Sequence, residues 1–416
     1  MRYIDLFAGA GGFSEGFKRA GFEPIAHVEV DSAACFTLRT RLAYYYLAEN
    51  NKINIYVQYL KGEISREQLY SHVPAEILKS VINMAIGDAT NHNIFREIDR
   101  LKGNKEIDII VGGPPCQAYS LVGRARDKNK MKDDPRNHLY VQYGKYLKKY
   151  LPKLFVFENV PGMQSAAGGK YFEDMKQYFE SLNYQLKAER VNASDFGVLQ
   201  NRQRVIIVGW RKEFNCSIDF RNDKSSLKYK VAAIFNDLPI IHDGGGKDKN
   251  FKYRKPINDY LRLSKIRNGI GILTQHVARP HNDQDKKIYR IAVEKWANGQ
   301  TRLDYNDLPE RLKTHKNRLA FLDRFKVVAD DLTCAQTVVA HIAKDGHYYI
   351  HPDIGQNRSI SVREAARLQS FPDDYYFEGI KEGQNRTAAF KQIGNAVPPL
   401  MIESIAKKIR AYLIRQ

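Results

Sequence analysis

Cys116 stands in the run Gly112-Gly113-Pro114-Pro115-Cys116-Gln117-Ala118-Tyr119-Ser120, directly after the apolar residues Ile107, Ile109, Ile110 and Val111. A short apolar run closed by glycine and proline reads as a buried strand. It puts the thiol just past the strand's carboxyl end, where open α/β sheets hold their chemistry. The glycines allow a sharp turn and Pro114 and Pro115 fix φ, so the loop aims the sulfur in one direction. Such a thiol suits nucleophilic attack; the competing reading is a small buried residue in a tight turn, the usual place of a free cysteine. Glu158 closes a second apolar run at 154–157, and Arg202 and Arg204 stand just before a third at 205–210. On a strand of period two these arginines share a face, so either two guanidinium forks enter one cleft or they lie on a surface salt-bridged strand.

Chemistry of this kind needs a sheet and a second ligand. The chain opens with a strand at 2–7 followed by Ala8-Gly9-Ala10-Gly11-Gly12-Phe13-Ser14. A glycine-rich turn between strand and helix offers backbone N–H groups and a helix N-terminus to a polar or anionic group. It is not the dinucleotide fingerprint, because Ser14 occupies the position of the third glycine. Glu29, at the end of a second strand (24–30) and about 20 residues past the turn, is placed to accept from ribose hydroxyls. Asp88, in Gly87-Asp88-Ala89-Thr90 at the close of a third strand, suits either an exocyclic amine of a base or a helix cap. The chain starts on a strand with no helix before it, so a helix must come from elsewhere. The terminal helix bearing Ile402, Ile405, Ile409 and Leu413 is the donor, and it brings the Asn395 loop beside the glycine turn.

The surroundings are basic. The chain has 416 residues, a formal net charge of +19 and 43% hydrophobic residues, enough for a large core and a strong pull on a polyanion. No stretch has the length of a membrane span or the pattern of a signal peptide, and the four cysteines (Cys35, Cys116, Cys216, Cys334) show no metal or disulfide spacing. A reducing cytoplasm and no metal are expected. Residues 121–137 carry Arg124, Arg126, Lys128, Lys130, Lys132 and Arg136, reading as a closing basic loop or as plain surface. The region 37–84 reads as sheet-covering helices. From 212 to about 330 strand–helix alternation gives way to irregular sequence holding about half of the surplus charge. There 276–282, with Arg279 and His281, reads as a polar loop suited to bases or phosphates. The division expected is 1–211 catalytic, 212–330 a separate basic module, and 331–416 a return to the first domain.

These blocks, in this order, resemble the cytosine-C5 DNA methyltransferases: DLFAGAGGFSEGF (5–17), Glu29, GDAT (87–90), GGPPCQAYS (112–120), ENV (158–160), QNRQR (200–204), a variable region, REAARLQSFP (363–372) and QIGNAVPP (392–399). The resemblance covers 1–211 and 331–416. It implies a Rossmann-like S-adenosylmethionine-dependent methyltransferase sheet with a second, smaller target-recognition domain at 212–330. It implies Cys116 as the nucleophile, Glu158 and Arg204 on the target base, and Arg202 in support. The cofactor S-adenosylmethionine, leaving as S-adenosylhomocysteine, would lie against Phe7, Ala8, Gly9, Ala10, Gly11, Gly12, Glu29, Asp88, Pro115, Asn395 and Ala396. Candidate DNA contacts are Gln117, Ser120, Arg124, Arg126, Arg279 and His281. The implied activity is methylation of cytosine C5 in one short duplex sequence, by a monomer that acts on flipped bases in the cytoplasm. A restriction endonuclease acting separately is a family expectation.

The residue types support this chemistry independently. Cytosine C5 is a poor nucleophile, and a thiolate added at C6 turns it into an enamine-like carbon. A carboxyl at N3 and N4 and a guanidinium at O2 would stabilise the charge. Three other readings stay open: a transfer-RNA cytosine methyltransferase, a nicotinamide oxidoreductase on the same kind of sheet, and a DNA-binding protein with a dead site. The recognition sequence is not encoded in any pattern visible here.

Overall fold

A computed structural model describes residues 1–115, 138–214, 218–219 and 229–415. Strands β1 (Arg2–Leu6), β2 (Glu23–Glu29), β3 (Val81–Asn83), β4 (Ile109–Gly112), β5 (Leu154–Asn159), β6 (Tyr184–Asn192) and β7 (Gln203–Arg211) form one sheet in the order β3-β2-β1-β4-β5-β7-β6. Neighbours from β3 to β5 run parallel, whereas β7 is antiparallel to both β5 and β6. This is the α/β sheet that the sequence predicts.

Successive side chains on a strand face opposite ways, and the core divides accordingly. Ile4, Leu6, Ile110, Phe155, Phe157 and Ile207 pack on one face with Tyr143 and Phe179 of the helices Leu139–Tyr150 and Lys170–Ser181. Tyr3, Ile109, Val111, Leu154, Val156 and Val208 pack on the other. Both faces are covered, so the central strands read as unbroken apolar runs. The second face holds the predicted exchange: the helix Pro399–Ile414 lies on the helix Gly12–Arg19 with Ile402, Ile405 and Ile409 buried. The approach is close enough that a Cβ on Gly16 would stand 2.6 Å from Ile402 Cβ.

Two expectations change. The third strand ends at Asn83, and 84–90 is loop, so Asp88 stands nearer the start of the following helix at Asn91 than the end of the strand. The helices between 37 and 84 mostly do not cover the sheet. Tyr56, Tyr59, Leu60 and Leu69 form a side cluster with Tyr376. A buried tyrosine needs a partner for its hydroxyl, and here Tyr56 donates to the Asp374 carbonyl at 2.7 Å and Tyr59 to Glu378 at 2.6 Å. These helices therefore clamp the 373–378 segment.

Packing runs across residue 330. Val231, Ile234, Tyr260 and Ile266 share one core with Val328, Ala366, Phe371 and Phe390, and Lys326 and Val328 donate backbone hydrogen bonds to His347 and Ile350. Ile288, Tyr289, Leu303, Tyr305 and Phe325 form a further small core with Ile350 around the helix Asp283–Ala297. The strands β8 (Gly246–Lys247) and β9 (His276–Val277) pair beside it.

Candidate active site

A cavity of about 340 Å³ opens over the carboxyl ends of the parallel strands, a size suited to a small ligand. It reaches from β2 to β7, four strand spacings or roughly 19 Å, and its walls come from both ends of the chain.

At one end lies the glycine turn. Phe7 has φ of 56°, a left-handed conformation that costs a bulky residue energy and marks an over-determined turn. Glu29 does much of the determining. Its Oε2 accepts from Gly9 N–H at 2.8 Å, and its Oε1 accepts from Val30 and Asp31 N–H at 2.9 and 2.7 Å. Each carboxylate oxygen has two acceptor positions, so Oε2 keeps one for a ligand in the cavity that Glu29 lines. Burial raises the Glu29 carboxyl above its ordinary value, against the pull of the three amides. Under the turn, Asp5 is fully buried in β1 and accepts from Ser14 Oγ at 2.6 Å. Burial pushes its carboxyl from 3.8 to about 7.

At the other end, Glu158 is the last residue but one of β5 and Arg204 the second of β7. Their strands pair antiparallel, which brings the two tips together. Arg204 Nε meets Glu158 Oε1 at 2.6 Å, with 12% and 15% of the side chains exposed. Both line the cavity with Gly113, Pro114 and Pro115. Gly113 has to be glycine: a Cβ there would stand 2.2 Å from the Glu158 carbonyl oxygen. The carboxylate thus faces the last described residues before the cysteine. Cys116, Gln117, Ser120, Arg124 and Arg126 lie outside the described residues.

The structure brings together Phe7, Ala8, Gly9, Ala10, Gly12, Glu29, Pro115, Glu158, Arg204, Asn395 and Ala396 around one cavity. Gly11 is the residue before the helix Gly12–Arg19 and does not line it. Asp88 does not line it either: it is 75% exposed, forms an ion pair with Lys145 and accepts from Gln142 at 3.2 Å. The Lys145 hydrogen bond holds it below the usual carboxylate range. Met84, Ala85 and Ile86 take that wall instead, and the apolar residues just ahead of GDAT were the available signal.

Arg202 corrects the two-fork expectation. Strand β7 begins at Gln203, so strand parity does not extend to Arg202. Its buried guanidinium turns away and donates to the carbonyls of Val338 and Ala396 at 2.7 Å each. It joins the start of β7 to the Asn395 segment and so positions both rather than touching a base. Arg279 and His281 are also turned inward. Arg279 donates to the Ile342 carbonyl at 2.7 Å, and His281 Nε2 is 2.9 Å from Ser359 Oγ, with burial lowering its imidazole to about 3. The polar loop predicted at 276–282 begins as strand β9 with His276 fully buried. Polar residues there satisfy one another because the backbone around them is buried. Sequence reasoning missed Asp5, Phe13, Asp31, Lys391, Gln392 and Val397; all but Asp5 line the cavity.

Comparison with known proteins points one way. A sequence profile described as C-5 cytosine-specific DNA methylase matches residues 1–64 and 67–411. The type II methyltransferase M.Bpa9945I of Bacillus paralicheniformis is 41% identical over 99% of this chain and 98% of its own length. The type II methyltransferase M1.HphI of Haemophilus parahaemolyticus is 29% identical over 98% of this chain and 86% of its own. A crystal structure assigned as a DNA modification methyltransferase from an Escherichia coli prophage superposes with a TM-score of 0.64 at 23% identity. It covers 100% of this chain and 99% of that one, a likeness of fold.

Proposed function

Because the chain belongs to the C-5 cytosine-specific DNA methylase family and is a cytosine-C5 DNA methyltransferase, we propose that the single cavity holds its two substrates end to end. The methyl donor would lie at the glycine turn and a flipped cytosine at Glu158 and Arg204. The observation that carries this reading is the joining of the two half-sites over roughly 19 Å of strand ends. The residues fit S-adenosylmethionine: Glu29 keeps an acceptor for a ribose hydroxyl, and the turn leaves a close backbone approach. When bound, that donor supplies an electrophilic methyl group on a sulfonium.

The protein's residues do the rest. Cys116, as thiolate, adds to cytosine C6; the C5–C6 π pair shifts to C4–C5 and the C4–N3 pair moves onto N3, which leaves C5 enamine-like. Glu158, carrying a proton, is placed to donate it toward N3 as that charge develops and to accept from the N4 amine. Arg204 keeps the carboxylate in place through Nε, with donors to spare on the same planar fork for the ring's O2. After the methyl group is gained at C5, a base removes the C5 proton and the Cys116 sulfur leaves. Because C6 lies inside the stack, the base must leave the duplex, at a cost of a few kcal/mol that phosphate contacts offset.

Residues 212–330 serve as the target-recognition domain in this reading, supported by their charge and by the family's variable region falling there. The names of the relatives support a type II restriction-modification role, with a separate endonuclease of the same specificity. A cytoplasmic monomer suffices. Transfer of tritiated methyl to unmethylated DNA by wild type and Cys116→Ser, with bisulfite sequencing, tests the whole. Label at C5 within one short sequence, absent in the variant, is expected. Label in transfer RNA alone would overturn the choice of substrate.

A further inference from the structure

Asp31 and Lys391 stand where the cavity meets the surface. Both line it, and both also line an open hollow of about 610 Å³ on its outer side, formed with Ile380, Gln384, Asn385 and Arg386. They therefore stand on the wall that the ligand cavity shares with the outer hollow. Lys391 Nζ meets Asp31 Oδ2 at 2.7 Å, joining the chain just past β2 to the helix Arg386–Asn395 across that wall. Asp31 is fixed on its other oxygen: Oδ1 accepts from Ala33 and Ala34 N–H at 3.0 and 3.2 Å, capping the helix Ser32–Glu49. One half of the bridge is rigid. The other is a lysine, 58% exposed, on a flexible four-carbon stem.

We propose that the Asp31–Lys391 ion pair is the door through which the methyl donor enters and its demethylated product leaves. The proposal rests on the cavity binding that donor. The opposite end, at Glu158 and Arg204, is the end a duplex covers when it delivers a base, so exchange on DNA needs an exit elsewhere. At the shared wall Asp31 is held by its helix cap, so the exposed lysine is the side chain that swings. The charge of each side chain is already met by the other and, at Asp31, by two backbone amides, so the door governs rates in both directions and leaves affinity nearly alone. A partly exposed ion pair is screened by salt and alters a rate by up to about fivefold.

The test is surface plasmon resonance of S-adenosylhomocysteine over the immobilised full-length protein. Lys391→Met should raise association and dissociation rates together by about three- to fivefold, with Kd unchanged within twofold. Asp31→Asn, which keeps a helix cap, should do the same, and Lys391→Arg should keep wild-type rates. Raising sodium chloride to about 0.5 M should bring wild type toward Lys391→Met and leave that variant unmoved. Wild-type binding with unaltered rates in Lys391→Met overturns the door. Faster dissociation alone, with Kd rising in step, overturns it too, because the lysine would then be a ligand contact. No binding by wild type overturns the cofactor reading itself, and the door with it.

Discussion

Two sets of charged residues in this protein look alike in sequence and do opposite work. Glu158 and Arg204 pair at the tips of adjacent strands, partly exposed, on the wall of a cavity. Arg358, Arg363 and Arg367 are wholly buried around the helix Val362–Leu368. Arg358 binds Glu364 through two hydrogen bonds of 2.8 Å; Arg367 bridges Asp237 and Asp373; Arg363 donates to the Thr274, Pro372 and Tyr375 carbonyls. Burial opposes ionisation of Glu364, yet Arg358 outweighs it and holds the carboxyl well below its usual range. The first set is open to a substrate. The second is a joint tying 237, 274 and 358–375 together, and a strongly basic chain spends these cations inside.

Breaking the joint should have the largest effect. Arg367→Leu leaves Asp237 and Asp373 buried with fewer counter-charges, and about 3 kcal/mol or more of stability should be lost. Urea denaturation measures it, and a fall in soluble yield is expected. Breaking the open pair should separate activity from stability. Glu158→Gln or Arg204→Ala should reduce methyl transfer by about 100-fold or more and move the denaturation midpoint little. Equal loss of stability in both sets would erase the distinction.

Asp5 sharpens it further as a buried acid whose side-chain partner among the described residues is the neutral Ser14 hydroxyl. Its pKa of about 7 in the fold lies above 3.8, so the folded state binds the proton more tightly. Its contribution is complete below about pH 4 and is lost as pH rises to about 7. Asp5→Asn keeps an acceptor for Ser14 and should flatten that slope, leaving the variant more stable than wild type at pH 8 by roughly 2 kcal/mol. Denaturation series at pH 5 and pH 8 measure it. The smallest effect belongs to Arg279→Gln, with about 1 kcal/mol lost from its carbonyl contacts. The salt dependence of DNA binding should stay unchanged, since a phosphate-contacting arginine would lower the slope by about one.

Strand ends and the borrowed terminal helix were legible because burial on both faces leaves apolar runs that composition alone reveals. Glu158, Glu29 and Asn395 followed from those ends. Arg202 did not, because β7 starts one position later and strand alternation does not extend to a residue that precedes the strand. Asp88 failed for a similar reason, as β3 stops at Asn83 and the loop swings its carboxylate toward Lys145. Arg279 and His281 were misjudged because polarity says nothing about direction. Their partners, Ile342 and Ser359, lie more than sixty residues away.

The sequence separation of two of the cavity's walls, one built around Phe7–Ala10 and the other around Asn395–Val397, has a consequence in time. At about 5–20 residues per second, a ribosome needs roughly 20 to 80 s to make the chain between them. Throughout that interval the face of the Gly12–Arg19 helix waits for Ile402 and Ile405. A nascent chain therefore has a glycine turn but no complete pocket, and every molecule begins its working life only after residues 391–397 have been made.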